Sequence, residues 1–574
     1  MKAHRLLLPV LALTLAAQKS DPPLLHVTTR LVEVNVIVRD RNGPVRDLTR
    51  DDFTLFEKGK ERKIATFEKN AATASVAVAA TPAQAVFSNR PQGPAKPVNV
   101  TVVLLDGLNT DIKDQEFSKQ QLLKFLRQIR PEDRVAVYTL GTKLRVLNDF
   151  SSDARRLAAA VARLSGDNLA FAAAADAGPA DSPNGQGTDK IVIDAIENQA
   201  NDLVSDYTVQ MRAETTAAAL EAIANHIAGI PGRKSLIWIT ASFPFSIGLI
   251  GDGQQNSEDT AFDNDISGVT ASKTGRGAGS STALYGVNDR DGDPARNQKS
   301  FTDEALRATR ALNDANVAVY PVDARGLTVM PKSMTAEQNY GLSHSASMTP
   351  PRVASTIPTG TTAMRNVADA TGGIVFQNGN DLQKAIRTAV DDGEVTYTLG
   401  FYPESSTLDS KFHELKVQVR RKDVEVRYRR GYLALPEAPL TAQARTVELR
   451  DALRSPLQAA GIGLTAKVVK TEKERSVRIT VAIEPHDLAL QPKDGKWSEE
   501  LDLIFGQWSG DGRQLGVSTS PLGLALDQAH YEQVLQEGLS ITKTVDLEAG
   551  ASAVRIVVGD RTSGRIGSLI LPMK

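Results

Sequence analysis

The stretch from Val98 to Gln115 constrains this chain more than any other part of the sequence. It reads VNVTVVLLDGLNTDIKDQ, an apolar and mostly β-branched run that ends at Asp106 and leads through a short polar loop into a helical pattern. A continuous apolar run is typical of a strand that is buried on both faces of a parallel sheet. Open α/β sheets bind their ligands at the carboxyl ends of such strands. Asp106 is therefore the first candidate for a functional side chain.

Further segments continue the alternation of strands and helices, and together they resemble a known family. Their order is similar to that of the von Willebrand factor A (vWA)-related secreted proteins of acidobacterial type, over roughly residues 27–434. The resemblance implies a Rossmann-like α/β domain with a mostly parallel sheet and helices on both faces. The segments that carry it, besides 98–115, are 48–64, 131–138, 150–164, 231–240, 316–326, 371–373, the helix beginning at Asp381, and 412–432.

The resemblance also implies a metal-binding loop at Asp106. In vWA domains this loop reads Asp-x-Ser-x-Ser; here Asp106 and Thr110 match the pattern, whereas Leu108 does not. Asn109 could supply a carbonyl oxygen, but it lies at the position whose side chain normally points away from the metal. Mg²⁺ requires near-octahedral oxygen coordination and gives up water reluctantly. The first loop thus lacks one of the ligands that the family supplies.

Of the other two metal loops, the second keeps its threonine and the third is altered. The family's threonine role falls on Thr215 or Thr216, and the third loop reads Thr-Ala-Ser at 240–242 where the family has Thr-Asp-Gly. We therefore expect a degenerate site in which Asp106, Thr110 and Thr215 or Thr216 hold Mg²⁺ or another divalent cation only weakly. The alternative is that the Asp106 carboxylate accepts backbone N–H groups of the loop and the helix start.

The composition excludes several classes of protein. With 574 residues the chain is too long for a single core. A net charge of −1, from 67 Lys+Arg and 68 Asp+Glu, indicates no nucleic-acid partner. Cysteine is absent, which excludes disulfides, thiolate zinc sites and thiol catalysis.

The N-terminus predicts export. Residues 1–17 combine a basic region, an apolar stretch from Leu6 to Leu15 and a small-residue cleavage site, which is typical of a signal peptide. The apolar stretch is shorter than the ~20 residues that a membrane-spanning helix needs. We therefore expect the mature protein to be secreted or periplasmic.

The remaining patterns predict the domain organisation. Segments 27–68 and 395–434 alternate apolar and polar residues, so we expect them to pair in one β-sandwich into which the α/β domain is inserted. Strands at regular spacing near the C-terminus suggest a second sandwich of immunoglobulin-like type. The other predicted segments are a linker at 69–97, the α/β domain at 98–392 with insertions expected to be mobile at 166–190 and 246–300, and the C-terminal sandwich at 440–574.

The leading functional hypothesis is a non-enzymatic adhesion or scaffold protein that holds a protein or peptide partner at the upper edge of the vWA-like domain. Metalloprotease, nucleophile-elbow and phosphate-loop motifs do not occur in the sequence. One rival is an envelope hydrolase that uses Asp106 and Asp323 as paired carboxylates, although a local ion pair between Asp323 and Arg325 is the simpler expectation. A purely structural envelope component is the third possibility. Because fold does not fix function, the leading hypothesis rests on analogy.

Overall fold

A computed structural model describes most of the folded parts of the chain. The predicted signal peptide and the second predicted insertion lie outside the described residues, as does the first insertion up to residue 187. Residues 188–190 of that insertion open a helix instead. The described residues are 31–71, 86–90, 100–164, 188–241, 305, 307–326, 360–377, 381–403, 412–434 and 441–573.

The first part of the chain forms short strands separated by turns. The strands are β1 (Val32–Asp40), β2 (Gly43–Pro44), β3 (Phe53–Glu57), β4 (Lys60–Arg62), β5 (Thr66–Ala71) and β6 (Val86–Ser88), with a single 3-10 turn at Arg50–Asp52 before β3. The predicted linker 69–97 was therefore partly wrong, because residues 69–71 end β5 and residues 86–88 form β6. A three-residue strand is too short to give a detectable period of two in the sequence.

The middle of the chain alternates strands and helices around one five-stranded sheet. The order of the strands is β11-β10-β7-β8-β9; only β9 runs antiparallel to its neighbour. The elements are β7 (Val100–Asp106), α1 (Ile112–Leu126), β8 (Arg134–Leu140), β9 (Leu144–Ser151), α2 (Ala154–Ala162), α3 (Thr188–Ile227), β10 (Lys234–Thr240), β11 (Val317–Asp323), α4 (Gly360–Thr371) and α5 (Leu382–Asp391).

Apolar side chains cover both faces of this sheet. On one face Leu104 and Trp238 pack beneath α3, α4 and the helical segment 307–314. On the other face Val103 and Ile237 pack beneath α1, α2 and α5. Burial on both faces explains why the strands read as continuous apolar runs. A mostly parallel sheet with helices on both faces is the α/β arrangement that the vWA resemblance implies.

Two glycines let the chain return beside β11 after α4. Gly372 adopts a φ of +80°, which side chains rarely tolerate. A Cβ on Gly373 would lie 1.8 Å from the carbonyl oxygen of Val319. This close approach brings Phe376 into a parallel bridge with Val322 of β11.

The strands after α5 join those that precede the α/β segment. They are β12 (Val395–Phe401), β13 (Phe412–Val419), β14 (Glu425–Arg427) and β15 (Gly431–Leu433). One sheet has the order β14-β1-β12-β5 and the other β15-β13-β3-β4, and their inner faces share one apolar core. The sequence predicts pairing between 27–68 and 395–434; the antiparallel ladders between β1 and β12 and between β3 and β13 join these two segments.

The C-terminal region contains two further sheets. Its elements are α6 (Ala442–Arg454), β16 (Leu464–Lys470), β17 (Ser476–Ile483), β18 (Gln491–Lys493), β19 (Lys496–Ser509), β20 (Gln514–Leu526), α7 (Gln528–Glu537), β21 (Leu539–Asp546), β22 (Ala551–Asp560) and β23 (Ile566–Pro572). One sheet has the order β21-β17-β16-β6; the other has β18-β19-β22-β23, with β20 paired to β19. Their facing sides share an apolar core, and α6 covers the outer side of the second sheet. None of the described helices is long and apolar enough to cross a membrane.

The strand β6 ties the predicted linker to this C-terminal region. It pairs with β16, and the Asn89 side chain bonds backbone groups of Ala459 and Leu464 at 2.7 and 2.8 Å. Arg90 forms an ion pair of 2.8 Å with Asp487. These contacts fix the linker at a point far along the chain, which no local sequence pattern indicates.

Candidate functional site

The carboxyl ends of β7, β10 and β11 lie side by side at one edge of the parallel sheet. Thr240 pairs with Asp323, and Leu105 pairs with Ile239, so Asp106 lies next to Thr240 in the same row. Residues opposite each other in a ladder point to the same face. The row therefore faces α3, which also carries Thr215 and Thr216.

The Asp106 carboxylate is buried and surrounded by hydrogen-bond donors. Its exposed fraction is 2%. Its Oδ1 accepts the backbone N–H of Asn109 at 3.0 Å, and its Oδ2 accepts the Asn109 side-chain amide at 2.9 Å and the Trp238 indole N–H at 3.0 Å. Burial raises the pKa of Asp106, and the hydrogen bonds from Asn109, Trp238 and Thr240 oppose that rise.

Asn109 connects Asp106 to α3. Its side-chain nitrogen donates to the Thr216 hydroxyl oxygen at 2.9 Å as well as to Asp106. The expectation that the Asn109 side chain points away was therefore wrong. Thr216 is fully buried and faces the loop, whereas Thr215 is half-buried. Both threonines lie within α3 rather than in a loop.

Thr110, the remaining predicted metal ligand, is also engaged by a backbone donor. Its hydroxyl oxygen accepts the N–H of Ala241 at 3.0 Å, and the residue is buried. The vWA loop pattern has an aspartate at the position of Ala241. In this chain the group that approaches Thr110 from that position is the backbone N–H of Ala241. The loop and the end of β10 are thereby joined without an ion.

This arrangement does not fit a resident Mg²⁺. A cation needs several oxygen lone pairs directed at one point. Here the Asn109 amide lies between Asp106 and Thr216, and a cation bound to both would have to displace it. In the described ranges, no group of three or more His, Cys, Asp or Glu side chains is placed to hold a metal ion.

Asp323 is held by a local ion pair. Arg325 donates to its two carboxylate oxygens at 3.0 and 2.9 Å, and the Arg325 backbone N–H donates to the same group at 3.0 Å. The predicted ion pair between Asp323 and Arg325 is thus confirmed. Because β10 separates β7 from β11, the backbones at Asp106 and Asp323 lie about 10 Å apart.

A cleft opens beside Asp106, between α1 and the turn that joins β8 to β9. Its volume is about 110 Å³. Lys119, half-buried on one side, donates to the carbonyl oxygen of Leu164 at 2.7 Å. The walls are largely apolar and the rim is charged; the lining includes Leu105, Asp106, Thr110, Ile112, Glu116, Lys119, Lys143, Arg145, Leu164 and Ile239, but not Asp323.

Positive charge predominates at the mouth of the cleft. Lys143 and Arg145 are exposed there. Among the described residues that line the cleft, Glu116 is the one acidic group besides the buried Asp106, and its carboxylate lies 3.9 Å from the Lys119 ammonium. The cleft therefore combines apolar walls with a cationic rim, which suits an apolar group that carries negative charge beside it.

Sequence reasoning missed two parts of this site. The first is Trp238, which is fully buried and donates to Asp106. The cleft was missed because its lining comes from separate segments of the chain. Trp238 lies on β10 opposite Leu104 of β7, 132 positions from Asp106, so no local sequence signal indicates the indole bond.

Comparisons with known proteins give low similarity. No family model and no curated protein matches the sequence. Among solved structures, a von Willebrand factor type A protein from Catenulispora acidiphila is 9% identical, with 90% of this chain and 73% of that chain covered and a TM-score of 0.23. An aerotolerance-related membrane protein from Bacteroides fragilis is 13% identical, with 51% and 98% covered and a TM-score of 0.23. The PilB minor pilin from Streptococcus sanguinis is 11% identical, with 52% and 63% covered and a TM-score of 0.23. These likenesses are too low for any function to pass from those proteins to this chain.

Proposed function

We propose that this chain is an exported, non-enzymatic adhesion or scaffold protein that binds a protein or peptide partner in the cleft beside Asp106. The cleft is the observation that carries the proposal. It lies at the carboxyl edge of a parallel sheet, where α/β proteins commonly bind ligands. Its apolar walls suit an aliphatic side chain, and its rim of Lys119, Lys143 and Arg145 suits a neighbouring acidic group.

The hydrogen bonds of the loop support binding without a metal. Asp106 and Thr110 receive N–H donors from within the domain, and these bonds hold the floor of the cleft in one conformation. A preorganised surface loses less conformational entropy when a partner binds. In this proposal the degenerate metal loop has become a rigid part of the binding surface.

The hydrolase alternative is less well supported by the geometry. Paired catalytic carboxylates should line one pocket. Asp106 lines the cleft, whereas Asp323 does not and is held by Arg325.

The domain organisation that accompanies the proposal begins with a cleaved signal peptide. A vWA-like domain at 98–392 is inserted in a sandwich of 27–68 and 395–434, and an immunoglobulin-like sandwich at 440–574 follows.

A pull-down from the envelope of the producing cell tests the proposal. Ile112 lies in the cleft wall and is 48% exposed, so Ile112→Glu should block the cleft without disturbing the core. Val469→Glu, on the 60% exposed side chain of a residue in β16, is the matched control. We expect a partner that the unchanged protein and the Val469 variant retain and that the Ile112 variant loses.

Three results would contradict this function. A partner that the Ile112 variant retains as well as the unchanged protein does must bind elsewhere. If neither the unchanged protein nor the Val469 variant retains a partner under crosslinking conditions, a structural envelope component is favoured instead. Hydrolysis of envelope material that Asp106→Asn abolishes would support the enzymatic alternative.

A further inference from the structure

One face of α1 forms a wall of the cleft beside Asp106 and carries a row of chemically different groups. Ile112, Gln115, Ser118 and Lys119 line the cleft from this helix. Residues three or four positions apart share a face of a helix, so these side chains lie in one row. At 1.5 Å per residue the row is about 10 Å long. An apolar side chain is thus followed along the wall by a carboxamide, a hydroxyl and an ammonium group.

The Ser118 hydroxyl is buried and its hydrogen bonds are not made. The residue is 2% exposed, and its Oγ has no hydrogen-bond partner in the described part of the chain. A serine inside a helix often donates its hydroxyl proton to a backbone carbonyl of the preceding turn, but within the described residues this one does not. A buried polar group without a partner lowers stability. A hydroxyl of this kind at the wall of a cleft points to a group that a ligand brings.

Gln115 adds an acceptor with a fixed direction. Its Nε2 donates to the carbonyl oxygen of Gly107 at 3.0 Å and to that of Thr110. Two carbonyl oxygens determine which end of the carboxamide carries the nitrogen, so Oε1 is directed away from them. This oxygen is shielded from solvent and has no hydrogen-bond partner among the described residues. It is therefore available to accept an N–H from a molecule in the cleft.

The charges of the lining favour an anion at the rim. Lys119 is half-buried beside the Ser118 hydroxyl, and Lys143 and Arg145 are exposed at the mouth. Of the two described acidic residues that line the cleft, Asp106 accepts N–H groups on both oxygens and Glu116 lies 3.9 Å from the Lys119 ammonium. The cationic groups therefore outnumber the acidic ones.

The volume limits the apolar part of the ligand. The cleft holds about 110 Å³ between walls that include Leu105, Leu164 and Ile239. An apolar cavity of about 150 Å³ accepts one benzene molecule, so this cleft takes a somewhat smaller group. A single branched aliphatic side chain has that size, whereas a long acyl chain does not fit.

We propose that the cleft binds the C-terminal residue of a partner chain and that this residue is aliphatic, such as leucine, isoleucine or valine. The cleft is the binding site of the proposed function, so this ligand class stands on that proposal. Charge complementarity favours this ligand, because the carboxylate at the end of a chain meets the cations of the rim. Capture of a terminal carboxylate is a recurring mode of peptide recognition.

A terminal residue carries all the matching groups on one Cα. Its N–H and its carboxylate carbon are only about 2.5 Å apart. Gln115 and Ser118 are separated by about 4.5 Å along the helix axis, a spacing that hydrogen bonds of ordinary length can bridge. The N–H is then directed to Gln115 Oε1 and the carboxylate to the Ser118 hydroxyl and the Lys119 ammonium. An internal residue would instead bring a peptide group on both sides and an acidic group from another residue.

Fluorescence polarisation with the full chain tests the proposal. The probe is a fluorescein-labelled peptide, Gly-Ser-Gly-Ser-Gly-Leu, with a free carboxylate, and its C-terminal amide is the matched control. The acid should bind at least about tenfold more tightly than the amide. It should also bind at least about fivefold more tightly than the same peptide ending in glycine. A blocked peptide with an internal Leu-Asp pair, and octanoate as a competitor, should both bind more weakly than the acid.

Ser118→Ala separates recognition from folding. Removal of a hydroxyl without a partner should leave Tm unchanged or slightly raised, whereas a hydroxyl that stabilises the fold would lower Tm when removed. The same variant should weaken binding of the acid about threefold or more and leave the amide nearly unchanged. Ser476→Ala is the matched control and should keep full binding, because Ser476 is also buried, at 4% exposed, but does not line the cleft. Lys143→Gln should reduce the preference for acid over amide at least about twofold.

Several outcomes overturn the proposal. They are equal binding of acid and amide, tighter binding of the internal peptide or of octanoate, full binding of the acid by Ser118→Ala, and no binding of the acid at about 1 mM. The pull-down with Ile112→Glu distinguishes these outcomes from failure of the proposed function. If that variant loses the partner while the acid does not bind, the cleft holds a partner by something other than a C-terminus. If that variant retains the partner and the acid does not bind, both proposals are wrong.

Discussion

Asp106 and Glu499 are both buried carboxylates at the ends of strands, but their surroundings are opposite. Asp106 receives N–H groups from Asn109 and Trp238 at 2.9–3.0 Å on both oxygens. Glu499 has one buried oxygen with no partner in the described residues and a second carboxylate nearby. The first site resembles a metal loop in sequence, yet internal donors take the place of a cation. The second has no sequence motif, yet its charge is left uncompensated.

The comparison shows that the donors around a carboxylate, rather than its sequence motif, decide how far its charge is compensated. A carboxylate offers about four lone-pair sites, and each N–H that occupies one leaves less for a metal. Three such donors converge on Asp106, from loop and neighbouring strand alike. The donors also fix the conformation of the loop. The Asp106 oxygens that accept these hydrogen bonds are therefore not free to bind a cation.

The largest expected effect is the loss of stability in Asp106→Ala. Removal of the carboxylate takes away, inside the core, the acceptor of one Asn109 side-chain N–H, of the Asn109 backbone N–H and of the Trp238 indole N–H. We expect the free energy of unfolding to fall by about 2–4 kcal/mol. Denaturant titration followed by tryptophan fluorescence measures the loss.

A matched Asp→Ala change sets the scale for that loss. Asp381 is the exposed N-cap of α5 and accepts the Lys384 N–H at 2.9 Å. Asp381→Ala should therefore cost about 1 kcal/mol, the usual cost of a lost cap. If Asp106→Ala costs no more than Asp381→Ala, the internal donors do not stabilise the loop as described.

The next effect concerns the pH dependence of stability at Glu499 in chelator. The pKa of this carboxyl is raised to about 7 in the folded chain from an unfolded value of 4.5. A raised carboxyl pKa stabilises the folded state below pH 4.5, and this contribution is lost as pH rises to about 7. Relative to Glu499→Gln, the unchanged protein should lose about 1–3 kcal/mol between pH 5 and pH 8.

The comparison with Glu499→Gln also cancels the contribution of a second group that titrates in this range. Burial and the nearby Glu221 raise the pKa of Glu448 to about 7 as well, at the contact between α3 and α6. Glu448 is present in both proteins, so its contribution cancels in the difference. Parallel curves of Tm against pH for the two proteins would show that Glu499 does not titrate near neutrality.

The sequence predicts the strands of the molecule better than it predicts the hydrogen bonds at the sites. The apolar run at 100–106 is sufficient to predict a buried parallel strand, because burial on both faces acts on every residue of the strand. The period of two in 395–401 likewise predicts a strand. Patterns of this kind are local, so they can be seen without knowledge of the tertiary structure.

The direction of the Asn109 side chain could not be predicted in this way. Its amide bonds Thr216, which lies 107 positions away, and Trp238 reaches Asp106 over 132 positions. Such choices depend on which groups the tertiary fold brings together. The same holds for β6, whose partner strand begins at Leu464. The loop motif therefore names residues that lie close together, namely Asp106, Asn109 and Thr110, while their hydrogen-bond partners required coordinates.

The difference between the two sites can be tested by placing a second carboxylate next to Asp106, as Glu499 has one nearby. Asn109→Asp replaces the bridging amide with a carboxylate next to Asp106 and Thr216. In chelator, this change should cost about 1–2 kcal/mol through repulsion and lost bonds. About 5 mM Mn²⁺ or Mg²⁺ should restore part of that loss, because two carboxylates and hydroxyl oxygens now face one point.

Asn109→Ala distinguishes metal binding from general stabilisation. It removes the same amide without adding a charge, so it should be destabilised in chelator and gain no stability from the metal. Equal recovery of the Ala and Asp variants would mean that the ion acts elsewhere. No recovery of the Asp variant would mean that the loop cannot place two carboxylates around a cation.

The smallest expected effect is the response of the unaltered loop to Mg²⁺. In the unchanged chain, about 5 mM Mg²⁺ should change the free energy of unfolding by less than about 0.3 kcal/mol. The physical reason is that Mg²⁺ would have to shed water and displace the Asn109 amide from Asp106 and Thr216, while gaining only one carboxylate. Melts in chelator and in Mg²⁺ measure the difference. A rise of several degrees that Asp106→Ala abolishes would show that the loop binds the ion despite its donors, and partner binding at the cleft should then depend on metal as well.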